Sequence, residues 1–518
     1  MRATPLILLA IGLGSLGGCG TDDTSAPAGL SPYLPTPLPP LGPVPLTDEQ
    51  TLRATHPLLS PPDPRSPAEP DARAAMLAEG YGATSIGPGA PHVARTSDGQ
   101  SPPAPGPAPR LLARFALVTD VHLVDDESPA RLGSFDGPGA ASGSFRPQEA
   151  NECRILNAMV RTLDAVHRAS PLSFVLVSGD GIDSAQDNEL RWQLAILDGA
   201  ARVECDSGAD DDPTPGPDND AKDPFVAGGL PVPWYWVTGN HDVLRQGTLP
   251  VTEDQIALSV GDTAPGGTRD WSSPGGPIFG GPVVADAGRR LLMRQELAQM
   301  VADDADGHGL GSTQAASGKA YYTFDVPSTP LRFVVLDTAA ETGSADGLIR
   351  QGDLDGVIRP ALDQAQADGR WVVLVAHHSV QSLSDGSGLG GTPQPDAVSS
   401  AAWLDVLGGY PNVLFSLAGH THLHNVTFLQ PTAGHGLWQI ITSALADWPN
   451  QARVIELWDE DDGWVMLRAT SLDYATDDDP VAAEGRQLGV LDYVAGWAAD
   501  GSGGSQDRNV ELWIQAPP

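Results

Sequence analysis

The segment Phe115-Ala116-Leu117-Val118-Thr119-Asp120-Val121-His122 contains the pattern that decides the fold. A short apolar run, typical of a buried strand, ends directly in side chains that bind metal ions. The same pattern recurs four times along the chain, separated by segments of helical spacing, which predicts a layered α/β domain. The other four segments are 174–183 (FVLVSGDGID), 234–242 (WYWVTGNHD), 371–378 (WVVLVAHH) and 413–422 (VLFSLAGHTH).

Seven oxygen and nitrogen donors follow these five apolar runs. Ligands of open α/β sheets bind beyond the carboxyl ends of the strands, so five strands in one sheet would bring the donors to one edge. Glycines at 179, 239 and 419 are expected to let the chain turn sharply at that edge. The donors are Asp120, His122, Asp180, Asn240, His377, His420 and His422.

The donor types favour manganese, iron or zinc, because imidazole nitrogens are mixed with oxygens and no thiolate is present. One-residue spacing in Asp120-x-His122 and His420-x-His422 points both side chains the same way on an extended segment. Seven donors are too many for one tetrahedral ion and fit two ions that share a carboxylate. Two ions ~3.5–4 Å apart clamp the attacking and leaving oxygens of an in-line displacement.

The ordered motifs Asp-x-His, Gly-Asp-x-x-Asp, Gly-Asn-His-Asp, His and Gly-His-x-His resemble the calcineurin-like metallophosphoesterase superfamily. The resemblance runs from Asp120 to His422. It implies a four-layer α/β/β/α fold, in which a sandwich of two mixed sheets is flanked by helices. It also implies a dinuclear-metal phosphoesterase that hydrolyses phosphomonoesters or phosphodiesters by in-line attack of a metal-bridging hydroxide.

The resemblance implies a role for each matching side chain. Asp180 would bridge the two ions. His241, oriented by Asp183, would stabilise the transition state or protonate the leaving oxygen. The remaining ligands form two sets, with Asp120, His122 and His422 on the first ion and Asn240, His377 and His420 on the second.

Two differences from known branches of the superfamily narrow the choice of branch to which this chain is similar. Purple acid phosphatases have Tyr at the position of Asp183 and lack the His that stands here at 122. No Arg-Gly follows Asp183, which disfavours the phosphoprotein substrates of Ser/Thr phosphatases. Of the neighbouring residues, His378 is expected to line the pocket, Asp337 to make a structural hydrogen bond, and Asp242 to be either a helix cap or a catalytic group.

The N-terminus indicates export. Met1 and Arg2 precede an apolar run over 5–16 that is too short to span a bilayer comfortably. Leu16-Gly17-Gly18-Cys19 resembles a bacterial lipoprotein signal, which implies cleavage before Cys19 and lipid on its sulfur. An ordinary secretory signal is the alternative. Because Gly20 is not Asp, outer-membrane attachment is favoured in a Gram-negative cell.

Three further features of the chain concern its loops, cysteines and domains. Clustered acidic residues near 210–220 are expected to form a solvated loop rather than a calcium site. Cys153 and Cys205 are expected either to form a disulfide or to remain as buried thiols. The predicted domains are a signal peptide (1–19), a mostly disordered Pro/Ala/Gly-rich tether (20–109), a catalytic domain (110–447) with insertions at 206–224 and 243–320, and a β-rich segment (448–518) packed on or completing that domain.

The net charge constrains the partners. The chain has 518 residues, of which 66 are acidic and 29 basic, giving a formal charge of -37. Such a field repels nucleic-acid backbones, so a small phosphoester is the expected partner. Membrane contact is expected only through the Cys19 lipid, and no protein partner can be inferred. The alternatives are a nuclease or lipid-pyrophosphate hydrolase on the same metals, or a surface lipoprotein with a vestigial site.

Overall fold

The computed structural model describes residues 31–139, 141–208 and 211–517. The strands in this part of the chain are β1 (Gln50–Ala54), β2 (Thr84–Pro88), β3 (Val93–Thr96), β4 (Arg110–Val118), β5 (Val175–Ser178), β6 (Trp234–Val237), β7 (Leu244–Arg245), β8 (Leu249–Pro250), β9 (Thr268–Arg269), β10 (Ile278–Phe279), β11 (Tyr322–Asp325), β12 (Leu331–Leu336), β13 (Trp371–Ala376), β14 (Val413–Ala418), β15 (Asn425–Leu429), β16 (Leu437–Ile441), β17 (Gln451–Asp459), β18 (Trp464–Asp473) and β19 (Val510–Gln515).

Helices connect and cover these strands. In chain order they are α1 (Pro70–Ala78), α2 (Glu152–Ala169), α3 (Asp187–Asp198), α4 (Asn240–Val243), α5 (Glu253–Ser259), α6 (Arg294–Asp303), α7 (Ser312–Ser317), α8 (Gln351–Asp353), α9 (Arg359–Ala367), α10 (Ser400–Leu407) and α11 (Pro480–Ala495), with a π-helical turn at Leu354–Ile358 between α8 and α9.

Two large mixed sheets form the centre of the described part of the chain. One has the strand order β3-β19-β18-β17-β4-β5-β6, and the other has the order β11-β12-β13-β14-β16-β15. Strands β4, β5 and β6 are parallel neighbours, as are β12, β13, β14 and β16. The five predicted strands therefore divide between two sheets and do not lie in one, which corrects the single-sheet expectation.

Successive side chains of β4 point to opposite faces of the sheet and show how the layers pack. Phe115 and Leu117 point between the sheets, where they meet apolar residues of β12 to β14. Ala116 and Val118 point the other way, against α2 and α3. A third cluster joins the outer face of β12 and β13 to α9 and α10. Three apolar layers imply four structural layers, so the predicted α/β/β/α sandwich of two mixed sheets is confirmed.

Residues 31–109 correct the expectation of a mostly disordered tether. They contain the antiparallel strand pair β1–β2, whose connection includes α1, and β3, which adds in parallel to β19 at the edge of the larger sheet. Arg202 donates to the carbonyl oxygen of Tyr33 at 2.6 Å, and Arg161 donates to that of Pro39 at 3.0 Å. Proline removes backbone donors but leaves carbonyl acceptors, so arginines of the domain can satisfy an extended Pro-rich segment.

The C-terminal residues take part in the larger sheet itself. Strand β17 lies between β4 and β18, and β18 pairs with β19. The segment also contains α11, which packs on α2. The 243–320 region carries short strands and helices from β7 to α7 rather than one regular layer. The predicted domain boundaries themselves stay a prediction.

Cys153 on α2 and Cys205 form a disulfide across a sequence separation of 52 residues. The sequence left this pairing open. Residues 1–30, with the predicted signal peptide, Cys19 and the start of the predicted tether, lie outside the described residues, as does Asp210 of the acidic loop. Within the described ranges, no helix combines the length and apolar character needed to cross a membrane.

Candidate metal centre

The carboxyl ends of strands from both sheets meet at one end of the sandwich. From the larger sheet, β4 leads to Asp120 and β5 leads to Asp180. From the smaller sheet, β13 leads to His377 and β14 leads to His420. Gly419 N–H donates to the carbonyl oxygen of His377 at 2.9 Å, which ties two of these loops together. Six of the seven predicted donors lie in overlapping groups that could hold metal ions: Asp120, His122, Asp180, His377, His420 and His422. The seventh, Asn240, precedes His241, whose backbone N–H donates to Oδ1 of Asp180 at 2.8 Å.

Five of the seven donors have left-handed backbones. Such φ values are uncommon for residues other than glycine and carry a conformational cost that the surrounding structure must offset. They are characteristic of sites where side chains are aimed at a common point. The φ angles are 52° for Asp120, 50° for His122, 50° for Asp180, 71° for His420 and 54° for His422.

The three motif glycines provide space more than flexibility. Only Gly179 has a positive φ, at +88°. A Cβ at Gly239 would lie 2.2 Å from Oδ1 of Asp180, and a Cβ at Gly419 would lie 2.0 Å from Oγ1 of Thr119. The expected sharp turn is therefore present at position 179. Positions 239 and 419 need glycine for another reason, because the ligand loops approach their backbones closely.

The first predicted ligand set is compact. Nε2 of His122 lies 3.1 Å from Nε2 of His422, which in turn lies 3.3 Å from Oδ1 of Asp120. Asp120 and His122 are fully buried, whereas the His422 side chain is 24% exposed. Donor atoms of one ion with bonds of about 2.0–2.2 Å come this close to one another. The geometry therefore fits one ion between these three residues.

The second set gathers around His377. Nε2 of His377 lies 3.0 Å from Oδ2 of Asp180, and the rings of His377 and His420 have centroids 5.3 Å apart. Oδ2 of Asp180 is also 3.9 Å from Nε2 of His122 in the first set. The Asp180 carboxylate thus lies between the two sets, where a carboxylate shared by two ions would be needed.

Two buried donor atoms lack hydrogen bonds and indicate that cations fit this site. Asn240 donates through Nδ2 to the carbonyl oxygen of Gly247 at 3.0 Å, which leaves its Oδ1 without a partner. Nε2 of His377 is buried and makes no well-directed hydrogen bond, although Oδ2 of Asp180 lies 3.0 Å away. Leaving Oδ1 of Asn240 unsatisfied costs about 1–3 kcal/mol. Both atoms are donors that a transition-metal ion accepts, so the residues fit the implied metals.

Three of the histidines are oriented by the nitrogen that faces away from the cluster. Nδ1 of His377 donates to the carbonyl oxygen of Ser178 at 2.9 Å. Nδ1 of His122 lies 3.2 Å from Asp183, and Nδ1 of His422 lies 2.6 Å from Asp447. A hydrogen bond at Nδ1 fixes the tautomer that leaves Nε2 available for a metal ion.

Close packing of carboxylates and imidazoles shifts their pKa values. Burial disfavours the charged form of Asp120, but the charges of His422 and His377 outweigh it and lower the pKa of Asp120 to about 2. Burial is likewise outweighed at His422 and His377, where the neighbouring carboxylates raise the pKa values to about 10 and about 9. At His122 and His420 burial and neighbouring cationic groups lower the pKa values to about 4. The ionised carboxylates of the cluster therefore stabilise positively charged groups beside them.

His241 lies beside the metal ligands with its ring held in place. Its Nδ1–H donates to the carbonyl oxygen of Asp183 at 2.8 Å, and Oδ1 of Asp183 is 3.3 Å from the same nitrogen. The ring packs edge-on against His122, with centroids 4.4 Å apart. Burial opposes protonation of His241, but Asp180 and Asp183 outweigh it and raise its pKa. A protonated imidazole at this position is suited to donate to a phosphoryl or leaving oxygen.

His378 and Asp242 have structural partners. Nδ1 of His378 pairs with Oγ1 of Thr338 at 2.9 Å, and its Nε2 pairs with the carbonyl oxygen of Ala345 at 2.9 Å. With both nitrogens engaged, His378 lines the site as expected. The Asp242 carboxylate accepts four backbone N–H groups at 2.7–3.2 Å, from residues 180, 181, 182 and 239. Asp242 therefore joins the loops after β5 and β6, which corresponds to the capping role.

Asp447 and Arg146 are residues of the site that the motifs did not predict. Asp447 lies in the loop between β16 and β17 and contacts His422; Arg146 lies before α2 and contacts Asp447 at 2.9 Å. The only sequence signal for Asp447 is an acidic residue soon after the strand-like run 437–442. Arg146 carries no such signal, because nothing local distinguishes it from a surface arginine.

A family model described as calcineurin-like phosphoesterase matches residues 113–424. This range contains all seven predicted ligands together with Asp183 and His241, and ends before Asp447. A search of curated proteins returned no match.

Several solved structures resemble the chain at low identity. A dimetal phosphatase from Danio rerio is 15% identical with a TM-score of 0.37, and the alignment covers 71% of this chain and 100% of that one. A purple acid phosphatase from yellow lupin is 12% identical with a TM-score of 0.31, covering 80% and 55%. An NAD nucleotidase from Haemophilus influenzae is 10% identical with a TM-score of 0.30, covering 73% and 55%.

Proposed function

Because this chain belongs to the calcineurin-like phosphoesterase family and is a metal-dependent phosphoester hydrolase, we propose that it hydrolyses small phosphomonoesters or phosphodiesters with a pair of manganese, iron or zinc ions. Asp120, His122 and His422 would hold one ion. Asn240, His377 and His420 would hold the other, with Asp180 shared between them.

One observation carries this proposal. Oδ2 of Asp180 lies within 4 Å of ligand nitrogens from both sets, at 3.0 Å from His377 and 3.9 Å from His122. A single-ion site would have no need for a carboxylate between two groups of donors. Bound cations at such a site supply Lewis acidity and offset the charge of the phosphoryl oxygens.

The residues of the chain supply orientation and a proton. Asp180 accepts the backbone N–H of His241 through Oδ1 at 2.8 Å, which fixes that loop relative to the ligands. Asp183 accepts from Nδ1 of His241, so Nε2 is the atom that can hold a proton toward the leaving oxygen. The His241 side chain is 17% exposed, enough for contact with a substrate at the mouth of the site.

Hydrolysis of aryl esters tests the proposal. Metal-free protein is loaded in parallel with Mn²⁺, Zn²⁺ or Fe²⁺, and turnover of a phenyl phosphate monoester and a bis-aryl diester is followed. Asp180→Ala and Asn240→Ala should lose turnover while the metal-free variants still fold, which a single cooperative thermal unfolding transition would show. Failure of the wild type to hydrolyse either ester with any metal, or full turnover in both variants, would refute the proposal.

The same substrate panel separates the alternatives. The net charge of -37 opposes binding of long polyanions, which supports a small substrate over a nuclease. Preferential cleavage of single-stranded DNA or of a lipid pyrophosphate would replace the proposed substrate class. Binding of fewer than two ions by the wild type would instead support a vestigial site.

We also propose that the protein is exported and lipid-anchored through Cys19 to the bacterial cell envelope, with the outer membrane favoured in a Gram-negative cell. The proposal rests on the residues before and at Cys19. The Cys153–Cys205 disulfide supports an oxidising compartment, since such bonds are rare in the cytosol of mesophiles. Mass spectrometry of the mature N-terminus tests it, because an unmodified or uncleaved Cys19 would contradict lipidation.

A further inference from the structure

Asp447 contacts a predicted metal ligand from outside the range of the family model. Its Oδ2 lies 2.6 Å from Nδ1 of His422, and its side chain is 15% exposed. In the neutral imidazole that binds an ion, a carboxylate at this nitrogen keeps the remaining proton on Nδ1, leaves Nε2 for the ion, and fixes the plane of the ring. Because His422 is the most exposed of the first ligand set, it depends most on such a partner for its orientation.

Arg146 holds Asp447 in turn. Nε of Arg146 donates to Oδ1 of Asp447 at 2.9 Å, and Nη2 approaches Oδ2 at 3.4 Å. Nη1 of the same guanidinium is 3.9 Å from Oδ1 of Asp183, the carboxylate beside His122. One buried cation therefore spans two carboxylates, and each of these carboxylates contacts a ligand of the first set.

We propose that Asp447 and Arg146 are positioning residues for the first metal ion, with Asp447 acting through His422 and Arg146 acting through Asp447. The inference rests on the proposed function for the identity of the ligands. It extends the site beyond the family motifs, to the β16–β17 loop and to the segment before α2.

The variant Asp447→Asn distinguishes a role in orienting His422 from a role in packing alone. It preserves the shape of the side chain, but Arg146 still requires an acceptor at the position of Oδ1. The amide nitrogen of Asn would then face Nδ1 of His422 and favour the tautomer with its proton on Nε2. That proton occupies the ligand atom, so binding of the first ion should weaken while the fold remains intact.

Asp337 offers a matched control. Like Asp447 it lies beyond a strand end and pairs with an arginine: both of its oxygens lie 2.8 Å from Nη2 of Arg294. It accepts a backbone N–H from Ala320 at 2.9 Å but contacts no predicted ligand. Asp337→Asn therefore disturbs a comparable ion pair without changing the partner of a metal-binding histidine.

The experiment measures Zn²⁺ and Mn²⁺ affinity by competition with a chromophoric chelator, together with thermal unfolding of the metal-free proteins. In Asp447→Asn, one of two ions should bind about 10–100-fold more weakly and the other with unchanged affinity. Asp337→Asn should retain both affinities. Combining Arg146→Lys with Asp447→Asn should weaken binding by less than the sum of the two single effects, because both act through one histidine.

Unchanged affinity for both ions in Asp447→Asn would overturn the inference, as would an equal loss in Asp337→Asn. If Asp447→Asn does not fold, Arg146→Lys alone decides by the same two measurements, with unchanged affinity again overturning the inference. If the wild type binds two ions but hydrolyses no ester, the proposed function fails while the affinity comparison still decides the role of Asp447.

Discussion

The main-chain oxygen of Asp183 accepts a hydrogen bond from Nδ1 of His241 at 2.8 Å, while the Asp183 carboxylate contacts His122 at 3.2 Å. One residue thereby orients both a predicted metal ligand and the predicted proton donor. Neighbouring histidines and hydrogen bonds, acting against burial, hold the pKa of Asp183 well below its usual range. The carboxylate is therefore ionised and keeps both imidazoles fixed relative to each other.

His241→Gln should lower kcat by about 10²–10⁴-fold, because it removes the group that can transfer a proton to the leaving oxygen. Both metal ions should remain bound, since His241 belongs to neither ligand set. Steady-state kinetics and metal analysis of the same preparation check this. His435→Gln, on a loop outside the metal cluster, should retain full kcat; a loss of metal in His241→Gln would contradict the assignment.

Gly419→Ala should lose at least one ion and about 100-fold in activity, because misplacement of a ligand by about 1 Å has this effect. The added Cβ would lie 2.0 Å from Oγ1 of Thr119 and 2.5 Å from Oδ2 of Asp120. Gly352→Ala is the control, as no atom lies within 4 Å of its Cβ position. Bound metal is measured by elemental analysis. A metal content in Gly419→Ala equal to that of the wild type would show that the added Cβ does not displace a ligand.

Asp242→Ala should lower the free energy of unfolding by about 2–4 kcal/mol, since it leaves buried N–H groups of two loops without an acceptor. Urea unfolding of the metal-free protein measures the change. In Asp385→Ala, which removes an exposed carboxylate that accepts one N–H at 3.0 Å, the change should stay within about 1 kcal/mol. Equal effects of the two substitutions would show that Asp242 does not join the loops.

Metal binding at pH 7.5 should release about two protons. In the metal-free protein His422 and His377 have pKa values raised to about 10 and about 9 and are protonated at this pH. An ion requires their neutral forms, so affinity should fall as the pH is lowered. His122 and His420, with pKa values lowered to about 4, are already neutral and release none. Calorimetry in buffers of different ionisation enthalpy measures the release; its absence would contradict these shifts.

Replacing Cys153 and Cys205 together by Ser should reduce the free energy of unfolding by about 2–4 kcal/mol, because the bond closes a loop of 52 residues in the unfolded chain. Kinetic constants should not change, since the bond lies between α2 and the segment after α3. Unfolding of oxidised and reduced wild type provides the matched comparison, and identical midpoints would show that the bond contributes nothing.

Much of the fold follows from local sequence. The apolar runs at 115–118, 174–177, 234–237, 371–375 and 413–417 all lie within or overlap strands β4, β5, β6, β13 and β14. Their division between two sheets could not be read from the runs, because strand pairing depends on contacts far apart in sequence. The order of the Pro-rich segment 31–109 could not be predicted from its composition, because it comes from partners on the domain rather than from its own residues.

The donors and their positions at strand ends follow from local sequence, because ligand type and the step from strand to loop are local properties. Contacts between remote segments set which nitrogen of each histidine faces the cluster and how Asp180 lies between the two ligand sets. They also pair Arg146 with Asp447 across 301 residues. Such partners are chosen by burial and hydrogen bonding between remote segments, and no short stretch of chain encodes them.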